Sequence, residues 1–88
     1  MSSRNNLTEL QAMALTFAIS YLEANGLPPT ALELTEGLML NNKTDAYGLL
    51  TALMRKGYIC LEPGRKRGLT VVRRPDGNPY GAASIGGS

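Results

Sequence analysis

Gly26-Leu-Pro-Pro-Thr30, followed by Ala-Leu-Glu33, closes one helix and opens another within a few residues. Gly26 suits the left-handed position after a helix, and the Pro28-Pro29 pair keeps the connection extended. Thr30 is a favoured N-cap residue, and Glu33 stands three positions on, where a capping-box partner belongs. The stretch therefore predicts two helices joined by a short, fixed connection.

A second stretch, Leu53-Met-Arg-Lys-Gly57-Tyr-Ile59, ends a helix and enters a strand. Arg55 and Lys56 fall in the last helical turn, where cations suit the helix dipole, and Gly57 suits the C-cap. The segment between the two stretches has room for a helix, a turn and a second helix. Together they predict a helix-turn-helix followed by a strand.

Upstream, Thr8 with Gln11 predicts a capping box and a first helix over residues 9–25. Its apolar residues recur at helical spacing and predict one core face, made of Leu10, Met13, Ala14, Phe17, Ala18, Tyr21 and Leu22.

The second helix is expected over about residues 31–39, with Leu34 and Leu38 inward. Asn41-Asn42-Lys43 reads as a turn in which one asparagine adopts positive φ. Either Thr44 or Asn42 would cap the third helix. Its inward residues are Ala46, Leu50 and Leu53, and its outer residues are Tyr47, Gly48 and Thr51.

Beyond the helices, residues 58–61 and 68–73 read as two strands of a hairpin, with a loop between them. Such a hairpin must pack on the helices, and alternate residues can do so: Ile59, Leu61, Leu69 and Val71. The predicted class is α+β, mainly α: a winged helix-turn-helix of three helices and a two-stranded β-hairpin wing. We expect a flexible segment over 1–6, the domain over 7–74 and a disordered Gly/Ser/Ala-rich tail over 75–88.

Composition argues against catalysis and membrane insertion. The 88 residues include no histidine and one cysteine, Cys60, so His-based triads and ordinary zinc sites are excluded. We expect no enzyme activity, no metal, no cofactor and no small-molecule substrate. No apolar run reaches the length of a membrane span and residues 1–6 lack a signal core, so the cytoplasm is the expected location.

Charge is unevenly distributed along the chain. Residues 1–54 carry two cations and five anions, whereas residues 55–74 carry seven cations and one anion. A basic final third suggests an electrostatic surface for a polyanion. The alternative is a solvated strand pair kept from edge-to-edge association by Lys and Arg.

The run from Leu7 to Val72 resembles the N-terminal DNA-binding domain of LexA-type repressors. The resemblance rests on Leu7-Thr8 with Gln11, on Gly26-Leu-Pro-Pro-Thr30 with Glu33, on Arg55-Lys-Gly57 with Ile59, and on Arg67-Gly68. It implies that the third helix enters the major groove of duplex DNA and that the wing approaches the backbone near the minor groove. It also implies a second half bearing a self-cleaving Ser-Lys dyad, which this sequence does not contain, so we expect no autoproteolysis.

This chain departs from the family pattern at the positions that would read bases. It has Asn42-Lys43-Thr44-Asp45 and Tyr47-Gly48 where LexA-type sequences show a Ser-Pro-Asn-Ala start and a Glu pair. It also has Met39 where the family commonly has glycine. The operator of a LexA repressor is therefore not expected here.

The candidate DNA-binding residues form two groups. Asn42, Thr44, Asp45 and Tyr47 could contact bases, since Asn pairs with adenine, Asp accepts from cytosine N4 and Thr contacts the thymine methyl. Lys43 with the wing cations Arg65, Lys66 and Arg67 would neutralise phosphates. Each has a structural alternative: Asn42 as a turn residue, Asp45 as a dipole partner and Tyr47 as core cover. The three wing cations have no evident structural need.

Two partner hypotheses accompany these residues. A single winged helix makes a small contact, so we expect a homodimer on DNA, with Leu15, Ile19 and Met54 as candidate contact residues unless they belong to the core. The leading interpretation is a small transcriptional regulator, repressor-like and of phage or mobile-element type. The alternative is a protein-docking module, an adaptor or inhibitor of a host protein, that uses Tyr47, Gly48 and Leu49.

Overall fold

The computed structural model describes residues 7–64 and 67–80 of the 88-residue chain. Three helices come first: α1 over Glu9–Asn25, α2 over Ala31–Gly37 and α3 over Lys43–Arg55. Two antiparallel strands follow, β1 over Ile59–Leu61 and β2 over Leu69–Val71. This order confirms the predicted winged helix-turn-helix.

Both predicted capping boxes are present. In α1 the Thr8 hydroxyl accepts from the Gln11 backbone N–H at 3.1 Å, and Gln11 Oε1 accepts from the Thr8 N–H at 3.2 Å. Thr30 and Glu33 repeat the arrangement at 3.1 and 2.9 Å at the start of α2. Gly26, with φ of 78°, ends α1 as expected. Gly26 and the Thr30–Glu33 capping box thus set the two ends of the connection between α1 and α2.

The core lies where α3 packs against α1, α2 and β1. The inward residues predicted for α3 are buried, as is Leu34 of α2. Helix α1 differs from expectation, since Leu10 and Met13 are exposed while Leu15 and Ile19 are buried. Because α1 is apolar on most sides, its spacing pattern did not single out the buried face. The buried core residues are Ala14, Leu15, Ala18, Ile19, Leu34, Ala46, Leu50, Leu53, Tyr58, Ile59, Leu69 and Val71.

Helix α2 ends earlier than predicted, and the chain reverses at a different residue. Met39 has φ of 58°, and it is the only described non-glycine residue with positive φ, so the expectation that Asn41 or Asn42 would adopt this conformation is wrong. The Met39 N–H donates to the Glu36 carbonyl at 3.2 Å, and the Leu40 N–H donates to the Thr35 carbonyl at 2.9 Å. This pair of bonds is a Schellman motif, with Met39 where glycine is usual.

The hairpin has the predicted face on the core. Ile59 pairs with Val71, Cys60 with Thr70 and Leu61 with Leu69. Ile59, Leu69 and Val71 are buried and Leu61 packs partly against the core. Cys60 points the other way and is exposed.

The chain does not leave the domain after residue 74, the predicted end of the domain. The Arg74 N–H donates to the Asn78 carbonyl and the Gly77 N–H to the Arg74 carbonyl, both at 2.8 Å. Arg73 and Pro79 form an isolated antiparallel β-bridge. We call residues 72–80 the C-terminal hairpin. It ends with Tyr80 packed against the core. The predicted flexible segment 1–6 and residues 81–88 of the predicted tail lie outside the described residues.

Candidate nucleic-acid interface

A groove of about 690 Å³ runs between α2, the exposed side of α3 and the wing. We refer to it as the wing groove. On one side it is bounded by the start of α2, and on the other by the strand ends and the loop between them. Its lining residues are Pro29, Thr30, Ala31, Leu32, Lys43, Tyr47, Leu50, Leu61, Glu62, Pro63, Gly64, Arg67, Gly68 and Leu69. The front of α3 and the wing therefore share one concave surface.

The N-terminus of α3 is held by Asn42. Its Oδ1 accepts from the Asp45 backbone N–H at 3.1 Å, which makes Asn42 the N-cap and excludes Thr44 from that role. Because an amide oxygen has two lone pairs and Nδ2 carries two donors, Asn42 can cap α3 and still offer an acceptor and a donor to a base. Asp45 lies in the first turn of α3, where the helix dipole stabilises a negative charge.

The other candidates on α3 are exposed, but they do not all face the wing groove. Lys43 and Tyr47 line it, and Tyr47 is 56% exposed. Thr44 and Asp45 are exposed on the same first turns but are not among its lining residues. The helix thus presents one cation and one aromatic ring to the groove, with two small polar residues beside them.

Arg67 has a partner that the sequence analysis did not foresee. Its Nη1 and Nη2 donate to Glu33 Oε1 and Oε2 at 2.8 and 2.9 Å, and Nη1 also donates to the Pro28 carbonyl at 2.8 Å. The expectation that this wing cation has no structural role is therefore wrong. Arg65 and Lys66, the other two wing cations, lie outside the described residues.

The charges of this ion pair are strongly coupled. Hydrogen bonds from Arg67, and next the Thr30 backbone N–H, lower the pKa of Glu33 from 4.5 to about 2. The same pairing raises the pKa of the Arg67 guanidinium further above its already high value. Glu33 thus stays ionised while serving both the α2 capping box and the wing.

The surface proposed for protein docking is smaller than the sequence suggested. Leu49 packs partly against the core, so of the two large side chains in that hypothesis Tyr47 is the one that is largely exposed. Leu32 of α2, 50% exposed, also lines the wing groove. The homodimer contact also changes, because Leu15 and Ile19 are buried and Met54 alone of the three stays exposed.

Comparison with known proteins places this architecture in a family. The model of the family described as the LexA DNA binding domain matches residues 4–68. The chain belongs to the LexA DNA-binding domain family. The matched region contains all eight candidate residues, from Asn42 to Arg67, whereas β2 and the C-terminal hairpin lie beyond it.

Individual LexA repressors are similar over most of this chain. The LexA repressor of Desulfatibacillum aliphaticivorans is 38% identical over 72 residues, which cover 82% of the chain and 36% of that repressor. The LexA repressor of Novosphingobium aromaticivorans is 38% identical over 79 residues, which cover 90% of the chain and 34% of that repressor. The LexA repressor of Oleidesulfovibrio alaskensis is 32% identical over 81 residues, which cover 92% of the chain and 39% of that repressor. The chain spans about a third of the length of the curated relatives it matches.

Two negative findings apply to the described residues, 7–64 and 67–80. Within them, no helix is long and apolar enough to cross a membrane. Across the same residues, no cluster of three or more His, Cys, Asp or Glu side chains is arranged to hold a metal ion.

Proposed function

We propose that this chain binds duplex DNA and acts as a repressor-like regulator of transcription, with α3 in the major groove and the wing on the backbone. One observation carries the proposal: the exposed front of α3 and the wing flank the same groove, so a single duplex can meet both. Membership of the LexA DNA-binding domain family supports it.

The exposed side chains suit the two parts of such a contact. Lys43, Arg65 and Lys66 would neutralise phosphates, and such contacts supply most of the sequence-independent affinity. Asp45 can accept from cytosine N4, and Thr44 can contact a thymine methyl group. The ring of Tyr47 would contact the wall of the DNA major groove. The proposed action is binding, and no residue is assigned a catalytic step.

A salt titration tests this proposal. Binding to mixed-sequence duplex, followed by fluorescence anisotropy, should weaken steeply as salt rises because counterions are released from the phosphates. Lys43→Ala should weaken binding to all sequences and reduce the slope by about 1. Arg55→Ala is the matched control, since it removes the same charge at the far end of α3, about 18 Å away at the rise of an α-helix.

Absence of duplex binding at low salt would overturn the proposal, and equal losses in the Lys43→Ala and Arg55→Ala variants would remove the assigned orientation. Selection of bound sequences from a random duplex library would then show whether the site has two half-sites. Two symmetric half-sites about one helical turn apart would support the proposed homodimer, and a single half-site would contradict it.

A protein-docking function is supported by one observation, the two large apolar side chains exposed at the wing groove, Leu32 and Tyr47. Such residues anchor protein interfaces. If duplex binding is absent while a partner is captured by the wild-type chain and lost with Tyr47→Ala, this second function replaces the first.

A further inference from the structure

The wing is tied to the helix-turn-helix by a contact between residues 34 positions apart in sequence. Arg67 lies near the end of the loop that joins the two strands, and Glu33 lies in the first turn of α2. Three donor–acceptor distances of 2.8, 2.8 and 2.9 Å fix the guanidinium against Glu33 and the Pro28 carbonyl. We call these three groups the wing anchor. A planar guanidinium held by three acceptors has one orientation.

The acceptor side of the wing anchor is itself rigid. Glu33 Oε1 also accepts from the Thr30 backbone N–H at 2.9 Å, and the Thr30 hydroxyl accepts from the Glu33 N–H at 3.1 Å. The neighbouring Leu34 is buried in the core. An exposed ion pair usually contributes little, but bidentate geometry within a network is the exception. Arg67 is therefore attached to the framework of α2 and not to a mobile side chain.

Apart from the wing anchor, the described part of the wing is a short hairpin packed on the core. Each strand has three residues, and a two-stranded hairpin is at best marginally stable alone. The strands are attached to the core through Ile59 and Val71 at the base and through Leu69 beside the loop. Gly64 and Pro63, at the turn, are exposed. The wing anchor thus ties the loop itself, and not only the strands, to α2, across the groove from Lys43 and Tyr47.

We propose that Glu33 and Arg67 are positioning residues for DNA binding, and that Arg67 acts through this anchor and not by contacting phosphate. This inference rests on the proposed function. The two roles predict opposite signs for Glu33→Gln. That change removes an anion and leaves Arg67 without its ionic partner, so a protein in which Arg67 contacts phosphate would bind DNA as tightly or more tightly. A positioning role predicts weaker binding in spite of the added positive charge.

The experiment measures duplex affinity for Glu33→Gln, Glu36→Gln and Arg67→Lys. Glutamine suits the capping box, so Glu33→Gln keeps the helix cap while losing the charged fork. We expect at least about fivefold weaker binding for Glu33→Gln and for Arg67→Lys, since lysine keeps the cation but not the bidentate geometry. Glu36→Gln makes the same charge change at an exposed position of the same helix and should bind at least as well as wild type. Unchanged or tighter binding by Glu33→Gln, or near-full binding by Arg67→Lys, would overturn the proposal.

A second readout separates this proposal from the proposed function. Amide ¹⁵N relaxation of the free protein should show greater loop motion over residues 62–68 in Glu33→Gln than in wild type, with α3 unchanged. If wild type binds no duplex, the proposed function fails, and the relaxation data still decide whether the anchor holds the wing. Unchanged relaxation in the loop would overturn the anchor itself, and loss of order throughout would show that Glu33 supports the whole fold and not the wing.

Discussion

At the scale of the residue, Met39 has a side chain at a backbone conformation that favours glycine. Helices α2 and α3 end in the same pair of hydrogen bonds, with Met39 and Gly57 at the equivalent left-handed position, φ of 58° and 86°. Glycine adopts this conformation without steric cost, whereas a side chain costs roughly 1–2 kcal/mol. The Met39 side chain is 88% exposed and gains little from packing in return.

Met39→Gly should therefore raise the free energy of unfolding by about 1 kcal/mol, measured by urea denaturation. Met39→Ala is the control because it removes the same side chain but keeps a Cβ at positive φ, and it should leave stability nearly unchanged. Equal effects of the two substitutions would show that the side chain, and not the backbone conformation, decides the energy.

Two glycines, one inside α3 and one just after its end, give a matched pair of substitutions. An added Cβ at Gly48 would meet no atom within 4 Å, and Gly48 is in the helix interior. Gly57 is also open, but its φ is 86°. We expect Gly48→Ala to stabilise the domain by about 1 kcal/mol through helix propensity. Gly57→Ala should destabilise it by about 1–2 kcal/mol through strain. Thermal unfolding of both variants would show this difference, and a shift of the same sign in both would contradict it.

At the scale of the element, the sequence predicts contacts that depend on neighbouring residues and misses those that depend on distant ones. The Thr30–Glu33 capping box follows from spacing alone. The Glu33–Arg67 pair does not, because nothing near either residue specifies a partner 34 positions away. The buried face of α1 was only partly predicted, since Leu15 and Ile19 compete with Leu10 and Met13 on a helix that is apolar on most sides.

The wing anchor predicts a definite pH dependence. The folded-state pKa of Glu33 is lowered to about 2 from 4.5, so its stabilising contribution is full above pH about 4.5 and is lost as pH falls through about 2. Urea midpoints of wild type and Glu33→Gln should differ most at neutral pH and converge toward pH 2. Glu36→Gln should show no such convergence. A difference that persists undiminished at pH 2 would mean that the charge of Glu33 is not what stabilises the wing.

At the scale of the whole molecule, the C-terminal hairpin extends the domain past the predicted boundary. The signal was present in the sequence, because Pro75-Asp76-Gly77 is a turn-forming tripeptide with proline and glycine where a hairpin loop accepts them. What the sequence did not reveal is the packing of Tyr80, which contacts the core and stacks with Arg74 at 4.9 Å from guanidinium carbon to ring centroid. Low apolar content alone was a poor guide to where the fold ends.

Replacing Tyr80 with alanine should accordingly lower the free energy of unfolding by about 1 kcal/mol, since part of an aromatic ring leaves the core. Tyr47→Ala removes the same side chain from an exposed site on α3 and should have almost no effect on stability. A Tyr80→Ala variant as stable to chemical denaturation as wild type would mean that the C-terminal hairpin does not belong to the folded domain.

The account as a whole depends on α3 and the wing meeting one duplex side by side. Chemical-shift mapping with ¹⁵N-labelled protein and a selected duplex tests this most directly. We predict that the largest amide shifts fall at the start of α3, over residues 42–48, and in the wing loop, over residues 62–68, while the exposed side of α1 is unaffected. Shifts confined to one of these two regions, or centred on α1, would contradict the account.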